Sequence, residues 1–299
     1  MELTFLGTSS MVPTKDRNQS SLLITYKTDG ILVDCGEGTQ RQFKTTGIPL
    51  TKVTIILISH WHGDHVLGLP GMLQTLNSSV TGHKVKIFGP KGTKVQFDFL
   101  KKAFLMEGNE RGLTMEVFDV DKERFYETSE FYIEAKLLQH SVPCLGYAVV
   151  EKDKVHIDMS SIRKLGMAEG PLLGKLQLGE EVSWKGKKVK PEDVTYTTKG
   201  RKITVIMDTE LCNSAVELAQ EADILVCEST YANDLEEKAE EYRHLTARQA
   251  ASIANKAGAK KLVLTHFSQR YRSTKEIEED AKTTFENVVC AWDFMKFKV

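Results

Sequence analysis

Short apolar runs separated by polar residues fill the first part of the chain. The runs at residues 3–6, 21–26, 31–34, 53–59 and 83–88 have the length of β-strands. The run at 53–59, Val-Thr-Ile-Ile-Leu-Ile-Ser, is almost continuously apolar, as is typical of a strand covered on both faces. A helix is expected over 36–47 after a glycine turn, and 64–78 can form a helix whose middle is distorted by Gly68 and Pro70-Gly71. Apolar residues at helical spacing predict a further helix over 92–106.

The rest of the chain first alternates and then returns to a mixed order. Alternating segments between 115 and 150 predict an antiparallel run of strands. Later segments predict strands at 203–207, 224–227 and 261–265, with helices at 214–221 and 246–257. Because strand regions with helices outside them recur in both halves, the pattern predicts a layered α/β sandwich.

Residues 160–201 interrupt this pattern. The stretch is rich in glycine and proline and contains nine lysines and arginines, among them Lys175, Lys185, Lys187 and Lys188. A solvated insertion would have this composition, and so would an arm that grips a polyanion. The pattern alone leaves both interpretations open.

Composition excludes several classes of protein. Lys and Arg number 40 against 41 Asp and Glu, so any nucleic acid must bind to a local basic patch. No apolar run approaches the ~20 residues that span a bilayer, and residues 1–7 lack the pattern of a signal peptide. The five cysteines show no C-x-x-C spacing, so we expect buried small side chains in a reduced, cytoplasmic protein that does not bind membranes.

The candidate chemistry starts with the run His60-Trp61-His62-Gly63-Asp64-His65, which directly follows an apolar strand. His60 and His62 are two residues apart, which suits an extended turn that presents both imidazoles to one ion. Asp64 and His65 suit a second ion nearby. Imidazole and carboxylate ligands without thiolates favour Zn²⁺, with Mn²⁺ or Fe²⁺ as alternatives. The run therefore predicts a two-metal hydrolase.

Three further strands end in residues that can bind metal, namely His140, Asp208 and His266. Each alone would more often be structural, but together they complete a plausible set of ligands. His83 and His156 lie in lysine-flanked segments and are expected to be ordinary surface histidines.

Five motifs resemble those of the ribonuclease Z family of the metallo-β-lactamase superfamily, the endonucleases that trim tRNA 3′ ends. The resemblance extends from residue 3 to residue 271. The motifs are Gly7-Thr8-Ser9-Ser10 with Pro13-Thr14-Lys15-Asp16-Arg17-Asn18, Asp34-Cys35-Gly36-Glu37-Gly38-Thr39-Gln40, the His60–His65 run, His140-Ser141-Val142-Pro143-Cys144-Leu145-Gly146-Tyr147, and a late set of Glu228, His244-Leu245-Thr246 and His266-Phe267-Ser268-Gln269-Arg270-Tyr271. One departure is Met207, where the family usually has Gly before the bridging aspartate.

The resemblance implies a four-layer αββα sandwich with an inserted flexible arm, so that residues 1–299 form one hydrolase domain and 160–201 a basic tRNA-binding arm. It implies two zinc ions per subunit. The first ion would take His60, His62 and His140, the second Asp64, His65 and His266, and Asp208 would bridge them.

The resemblance also implies roles beyond the metal ligands. Asp64 would accept a proton from the attacking water, and His244 would donate one to the leaving oxygen. Glu228 at a strand end could orient His244, although His244 could instead be a neighbour of the N-cap of the next helix. Asp34 is expected to be a buried partner of a ligand or a turn residue.

The resemblance further implies that the substrate is a precursor tRNA. Cleavage would leave a 3′-hydroxyl on the tRNA and a 5′-phosphate on the trailer. Arg17 and Asn18 would hold RNA near the cleavage point or serve only the turn. The four arm lysines named above would contact phosphates, and a homodimer is implied because the arm of one subunit serves the active site of the other.

Two rival functions remain at this point. Another dimetal phosphodiesterase or arylsulfatase of the same superfamily would need the metals but not the arm. A non-catalytic RNA-binding scaffold would usually have lost ligands, whereas every candidate ligand is present here.

Overall fold

The computed structural model describes residues 1–79, 81–104 and 112–299. One seven-stranded mixed sheet has the spatial order β18-β1-β2-β3-β4-β5-β6. Its strands are β1 (Glu2–Gly7), β2 (Ser21–Tyr26), β3 (Asp29–Val33), β4 (Ile55–Leu57), β5 (His83–Gly89), β6 (Leu113–Asp119) and β18 (Lys296–Lys298). The strands from β3 to β6 pair in parallel, and the others are antiparallel.

The second seven-stranded sheet has the order β17-β16-β15-β14-β9-β8-β7. Its strands are β7 (Arg124–Glu127), β8 (Phe131–Leu138), β9 (Cys144–Glu151), β14 (Lys202–Ile206), β15 (Ile224–Glu228), β16 (Leu262–Thr265) and β17 (Val288–Cys290). The strands from β14 to β17 are parallel, while β9 is antiparallel to both β14 and β8. The carboxyl ends of β8, β14, β15 and β16 therefore meet at one edge of the sheet.

Helices cover the outer face of each sheet. On the first sheet lie α1 (Thr39–Thr46), α2 (Gly63–Val66), α3 (Leu69–Ser79) and α4 (Thr93–Phe104). On the second lie α8 (Asn213–Ala219), α10 (Ala247–Ala257) and α11 (Lys275–Lys282), with α9 (Glu236–Tyr242) leading into α10. A third apolar cluster, including Phe5, Ile133 and Val205, fills the space between the sheets. The predicted four-layer αββα sandwich is confirmed.

Two expected strands differ from the structure. The run at 53–59 forms only the three residues of β4, because a 3₁₀ turn at Leu50–Lys52 precedes it and the chain after it turns toward His60. The run of strands between 115 and 150 was expected to be antiparallel throughout. Its first strand, β6, pairs in parallel with β5. Alternation reports one covered face but not the partner strand, so the sequence could not distinguish these pairings. The predicted helix 92–106 is present as α4 (Thr93–Phe104), and the last two residues of the prediction, 105 and 106, lie outside the described part.

The expected insertion is a small folded unit that begins earlier and ends earlier than 160–201. It is closed by pairing of β10 (Lys154–Ile157) with β13 (Thr195–Thr198). Between them lie α5 (Met159–Lys164), α6 (Pro171–Gln177), β11 (Val182–Trp184), β12 (Lys187–Val189) and α7 (Pro191–Val194). Ile162, Leu176 and Val194 are at most 1% exposed and form its own apolar core with neighbouring side chains. We call this unit, residues 154–198, the arm.

The expected burial of the cysteines is confirmed, since all five are buried and unpaired. Among the residues described here, no helix is both long and apolar enough to cross a lipid bilayer.

Candidate metal centre

The His60–His65 run leaves β4 as an extended segment and then enters α2. His62 has the extended backbone of an N-cap residue, and Asp64 and His65 lie in the short helix that follows. The Trp61 indole donates a hydrogen bond to the Thr93 hydroxyl at 2.9 Å, which anchors the run to the start of α4. The backbone thus changes from extended to helical within the run, and His60 and His62 fall in one cluster of possible ligand atoms while Asp64 and His65 fall in another.

Four side chains form a first group of ligand atoms, namely His60, His62, His140 and Asp208. His60 Nε2 lies 3.0 Å from His62 Nδ1, and His140 Nε2 lies 3.3 Å from the same atom. Asp208 Oδ2 is 3.6 Å from His60 Nε2. This convergence of nitrogen lone pairs and one carboxylate oxygen is the donor set that Zn²⁺ favours.

A second group contains Asp64, His65, His266 and again Asp208. Asp208 Oδ1 lies 3.1 Å from His266 Nε2 and 3.4 Å from His65 Nε2. These three atoms are buried, yet none has a hydrogen-bond partner among the described residues. Buried polar atoms almost always have a hydrogen-bond partner. Three unpaired polar atoms that lie within 3.4 Å of one of their number, Asp208 Oδ1, therefore fit a site for a cation. Asp208 contributes one oxygen to each group.

Asp34 holds the ring of His65. The Asp34 side chain is fully buried, and its Oδ2 accepts a hydrogen bond of 2.7 Å from His65 Nδ1. Asp34 also accepts from the Ser59 amide at 2.7 Å and has a left-handed backbone (φ 58°). It is thus both a turn residue and the partner of a ligand, and its bond to Nδ1 leaves Nε2 of His65 free to bind metal.

Three of the other four ligand imidazoles are held in the same way by groups that the sequence analysis missed. They are Ser59 Oγ at 3.0 Å from His60 Nδ1, Thr230 Oγ1 at 2.9 Å from His266 Nδ1, and the Arg243 carbonyl at 3.1 Å from His140 Nδ1. A hydroxyl directly before a ligand was a usable signal for Ser59. Thr230 and Arg243 come from distant segments, so nothing local pointed to them.

His244 and Glu228 form a pair beside the second group. His244 Nδ1 donates to Glu228 Oε1 at 2.9 Å, and Glu228 also accepts from the Thr230 hydroxyl at 2.7 Å. Burial opposes the charge on His244, but Glu228 and Asp208 outweigh it and raise the pKa of His244 to about 9. Thr246, not His244, caps α10 through a capping box with Gln249.

The carboxylates of the centre are ionised. Burial alone would raise the pKa of Asp64, but the adjacent imidazoles of His266 and His65 hold it well below the usual value. Burial likewise opposes ionisation of Asp208, and the surrounding histidines, His266 first, lower its pKa strongly. Both side chains are therefore available as anionic ligands at neutral pH.

The predicted RNA-contacting residues lie outside both ligand groups. The Arg17 guanidinium donates to the carbonyl of Tyr271 at 2.6 Å, and Asn18 Nδ2 donates to the carbonyl of Glu37 at 2.7 Å. Both residues thus tie their loop to neighbouring loops, and a contact with RNA stays a prediction. The four arm lysines Lys175, Lys185, Lys187 and Lys188 are exposed on the arm.

Three further residues singled out in the sequence, Met207, His83 and His156, belong to neither ligand group. Met207, the departure from the family pattern, packs between the two sheets and is 5% exposed. His83 and His156 are half-buried rather than fully exposed, with His83 Nε2 2.8 Å from the Val53 carbonyl and the His156 ring stacked on Tyr196.

Comparison with known proteins adds to this geometry. Over 297 residues the chain is 41% identical to ribonuclease Z of Chlamydia abortus, covering 99% of this chain and 96% of that one. It is 38% identical to ribonuclease Z of Bacillus cereus over 308 residues, covering 100% and 99%. The chain belongs to the ribonuclease Z family. As a ribonuclease Z it is a metal-dependent hydrolase, in agreement with its His and Asp clusters.

Structural similarity agrees with the family. The crystal structure of human tRNase Z, short form, superposes on this ribonuclease Z with a TM-score of 0.72 at 28% identity, covering 100% and 99% of the two chains. A metallo-β-lactamase fold protein of Bacillus subtilis gives a TM-score of 0.71 at 19% identity, covering 99% and 98%, which shows the shared fold.

A family model described as anti-Pycsar protein Apyc1 matches residues 1–156, so this half of the chain also belongs to the family that the model describes. That half contains His60 to His65 and His140, but not Asp208, His244 or His266. The matches to the ribonuclease Z relatives extend over nearly the full length of the chain and so cover the positions of these later residues.

Proposed function

We propose that this ribonuclease Z uses two zinc ions to remove the 3′ trailer of precursor tRNA. The observation that carries the proposal is the pair of ligand groups joined by the two oxygens of Asp208, beside a protonated His244. The products would be a 3′-hydroxyl on the tRNA and a 5′-phosphate on the trailer.

When bound in the two ligand groups, divalent ions would lower the pKa of the attacking water and stabilise the charge that develops on the attacking and leaving oxygens. Asp64 and Asp208 stay ionised at neutral pH, so their oxygens can bind metal. Asp64 is also the group that would take the proton of the attacking water. Water adds to phosphorus, and the bond from phosphorus to the 3′-oxygen breaks.

His244 would donate its proton to that departing 3′-oxygen. Its Nδ1 is engaged by Glu228, so the donating atom is Nε2. A histidine with a pKa of about 9 is protonated at neutral pH, as a proton donor must be. Glu228 sets both the orientation and the charge of the ring.

The arm would supply affinity for the tRNA. Lys175, Lys185, Lys187 and Lys188 are exposed and can pair with phosphates without reading sequence. The net charge of the chain is only −1, so a local basic unit is the way for it to bind a polyanion. The basic arm distinguishes the proposed tRNA endonuclease from another dimetal phosphodiesterase, which would need the metal centre but not the arm.

The deciding experiment incubates the purified, zinc-loaded protein with a precursor tRNA that carries a 3′ trailer. Sequencing of both product ends should place the cut directly after the discriminator base. Absence of cleavage, together with hydrolysis of a small chromogenic phosphodiester or sulfate, would favour the rival hydrolase. Elemental analysis of the protein as purified from cells should give two zinc ions per subunit.

The proposed homodimer has its own test, because the arm of one subunit would serve the active site of the other. One variant carries Lys185→Ala, Lys187→Ala and Lys188→Ala, and a second carries Asp64→Asn. Each alone should be impaired, and mixed dimers should regain cleavage since an intact arm then faces an intact centre. If mixing restores nothing while mixed dimers form, the arm serves its own subunit.

A further inference from the structure

Arg243 and the metal ligand His140 hold one another by two reciprocal hydrogen bonds. His140 Nδ1 donates to the backbone carbonyl of Arg243 at 3.1 Å, and Arg243 Nη1 donates to the backbone carbonyl of His140 at 3.1 Å. The two residues are 103 positions apart and lie in different loops, after β8 and between α9 and α10.

A second contact ties Arg243 to the loop that carries the bridging ligand. Arg243 Nε lies 3.2 Å from Glu210 Oε1, two residues after Asp208. The Glu210 amide in turn donates to the carbonyl of Gln139, the residue before His140. The guanidinium therefore joins the His140 loop and the Asp208 loop to its own loop.

The backbone of Arg243 has the left-handed conformation, with φ 56°, that a residue with a side chain adopts at a cost. It ends α9 there, and its amide bonds back to the Glu240 carbonyl. This conformation aims the Arg243 carbonyl at His140 and presents His244 as the next residue. Glycine adopts the left-handed backbone without strain. The presence of arginine rather than glycine at position 243 therefore indicates that its guanidinium has a use.

We propose that Arg243 is a positioning residue for the first ligand group, fixing His140 so that its Nε2 faces His60, His62 and Asp208. It acts through His140 and touches neither metal nor substrate. The His140 side chain is only 2% exposed, and the other hydrogen bond of its ring determines which nitrogen is free for metal. The inference rests on the two-metal site of the proposed function but not on its RNA substrate.

The test measures zinc affinity on apo-protein in competition with a chromogenic chelator, without RNA. Arg243→Ala and Arg243→Gly both remove the guanidinium, and Gly also removes the backbone strain. Both should weaken zinc binding at the first group by about tenfold or more and leave the second group unchanged. His62→Ala and His266→Ala assign the two binding steps, because His62 belongs to the first group and not the second, and His266 to the second group and not the first. Arg248→Ala, an exposed arginine of α10, is the matched control.

The pattern of results decides the matter. Selective weakening at the first group, with cleavage recovered in excess zinc, is the expected result. Wild-type affinity of both Arg243 variants at both groups would overturn the inference, and so would equal weakening of both groups, which would mean that Arg243 supports the fold. A wild-type protein that binds zinc in this way but does not cut precursor tRNA refutes the proposed function and leaves the role of Arg243 standing.

Discussion

The imidazole of His244 and the carboxylate of Glu228 form a buried ion pair with Nδ1 and Oε1 2.9 Å apart. Glu228 is fully buried and His244 retains 15% of its side-chain exposure. The pair therefore joins a carboxylate that cannot reach solvent to an imidazole that remains partly exposed to it. Burial would raise the pKa of Glu228, but His244 lowers it, so each partner keeps the other charged.

The first prediction concerns the pH profile. Glu228→Gln removes the charge that raises the pKa of His244, so the protonated donor is lost at lower pH than in the wild type. The alkaline limb of kcat/KM for precursor tRNA should move down by about one pH unit or more. A profile recorded from pH 6 to 10 checks this. An unchanged alkaline limb would exclude His244 as the proton donor, and the melting temperature of the variant controls for folding.

The second prediction concerns Asp208, whose two oxygens reach both ligand groups. Asp208→Ala should reduce the bound metal of both groups and lower cleavage by at least about 10³-fold. His62→Ala should reduce the metal of the first group only. Elemental analysis after dialysis against a chelator compares them. Loss of one group alone in the Asp208 variant would contradict bridging.

The third prediction concerns Asp34, which belongs to neither ligand group. Asp34→Asn weakens the hydrogen bond that aligns His65, and we expect zinc affinity of the second group to fall about 10–100-fold. Excess zinc should restore much of the activity, since the ligands remain. Chelator competition measures the affinity. Activity that stays low at saturating zinc would mean that Asp34 acts on the fold instead.

The fourth prediction concerns the arm. Replacing Lys185, Lys187 and Lys188 by Ala should raise KM for precursor tRNA and flatten the dependence of log KM on log salt by about 0.7–0.9 per lost phosphate contact. Hydrolysis of a small chromogenic phosphodiester should not change. Lys275→Ala, an exposed lysine outside the arm, is the control. An equal loss of both activities would show that these lysines support the fold.

The fifth prediction concerns Glu151, which accepts hydrogen bonds from Tyr26, Lys154 and Arg201 where the arm leaves the sheet. Burial opposes its charge, but Arg201 and the other donors lower its pKa to about 2 from 4.5. A lowered folded-state pKa contributes stability that is complete above pH 4.5 and is lost as the pH falls toward 2.

Glu151→Gln should therefore lower the free energy of unfolding by roughly 2 kcal/mol at pH 7, after allowance for the half-exposed Lys154 and Arg201. The difference from wild type should shrink at pH 3. Urea unfolding of the zinc-free proteins at both pH values measures it, with Glu237→Gln on the surface of α9 as the control. A difference that does not depend on pH would refute this account.

The sequence by itself predicted the layers and the candidate ligands of the metal centre, and its resemblance to the family predicted how those ligands divide into two groups. The spacing of apolar residues shows which face of each element is buried, and it can be read within the segment itself. This spacing predicted most of the strands and helices. The placing of His140, Asp208 and His266 at strand ends was also visible, because the carboxyl ends of neighbouring parallel strands lie at one edge.

Only the tertiary structure decided which distant groups hold those ligands. Thr230 and Arg243 meet His266 and His140 across 36 and 103 residues, and hydrogen bonds over such separations leave no local pattern. For the same reason the sequence did not predict the parallel pairing of β6, because alternation along a strand does not identify its partner. Nor did it predict that the arm has a core of its own, since that core is assembled from short apolar segments. Periodicity records burial, whereas pairing and orientation depend on how the whole chain packs.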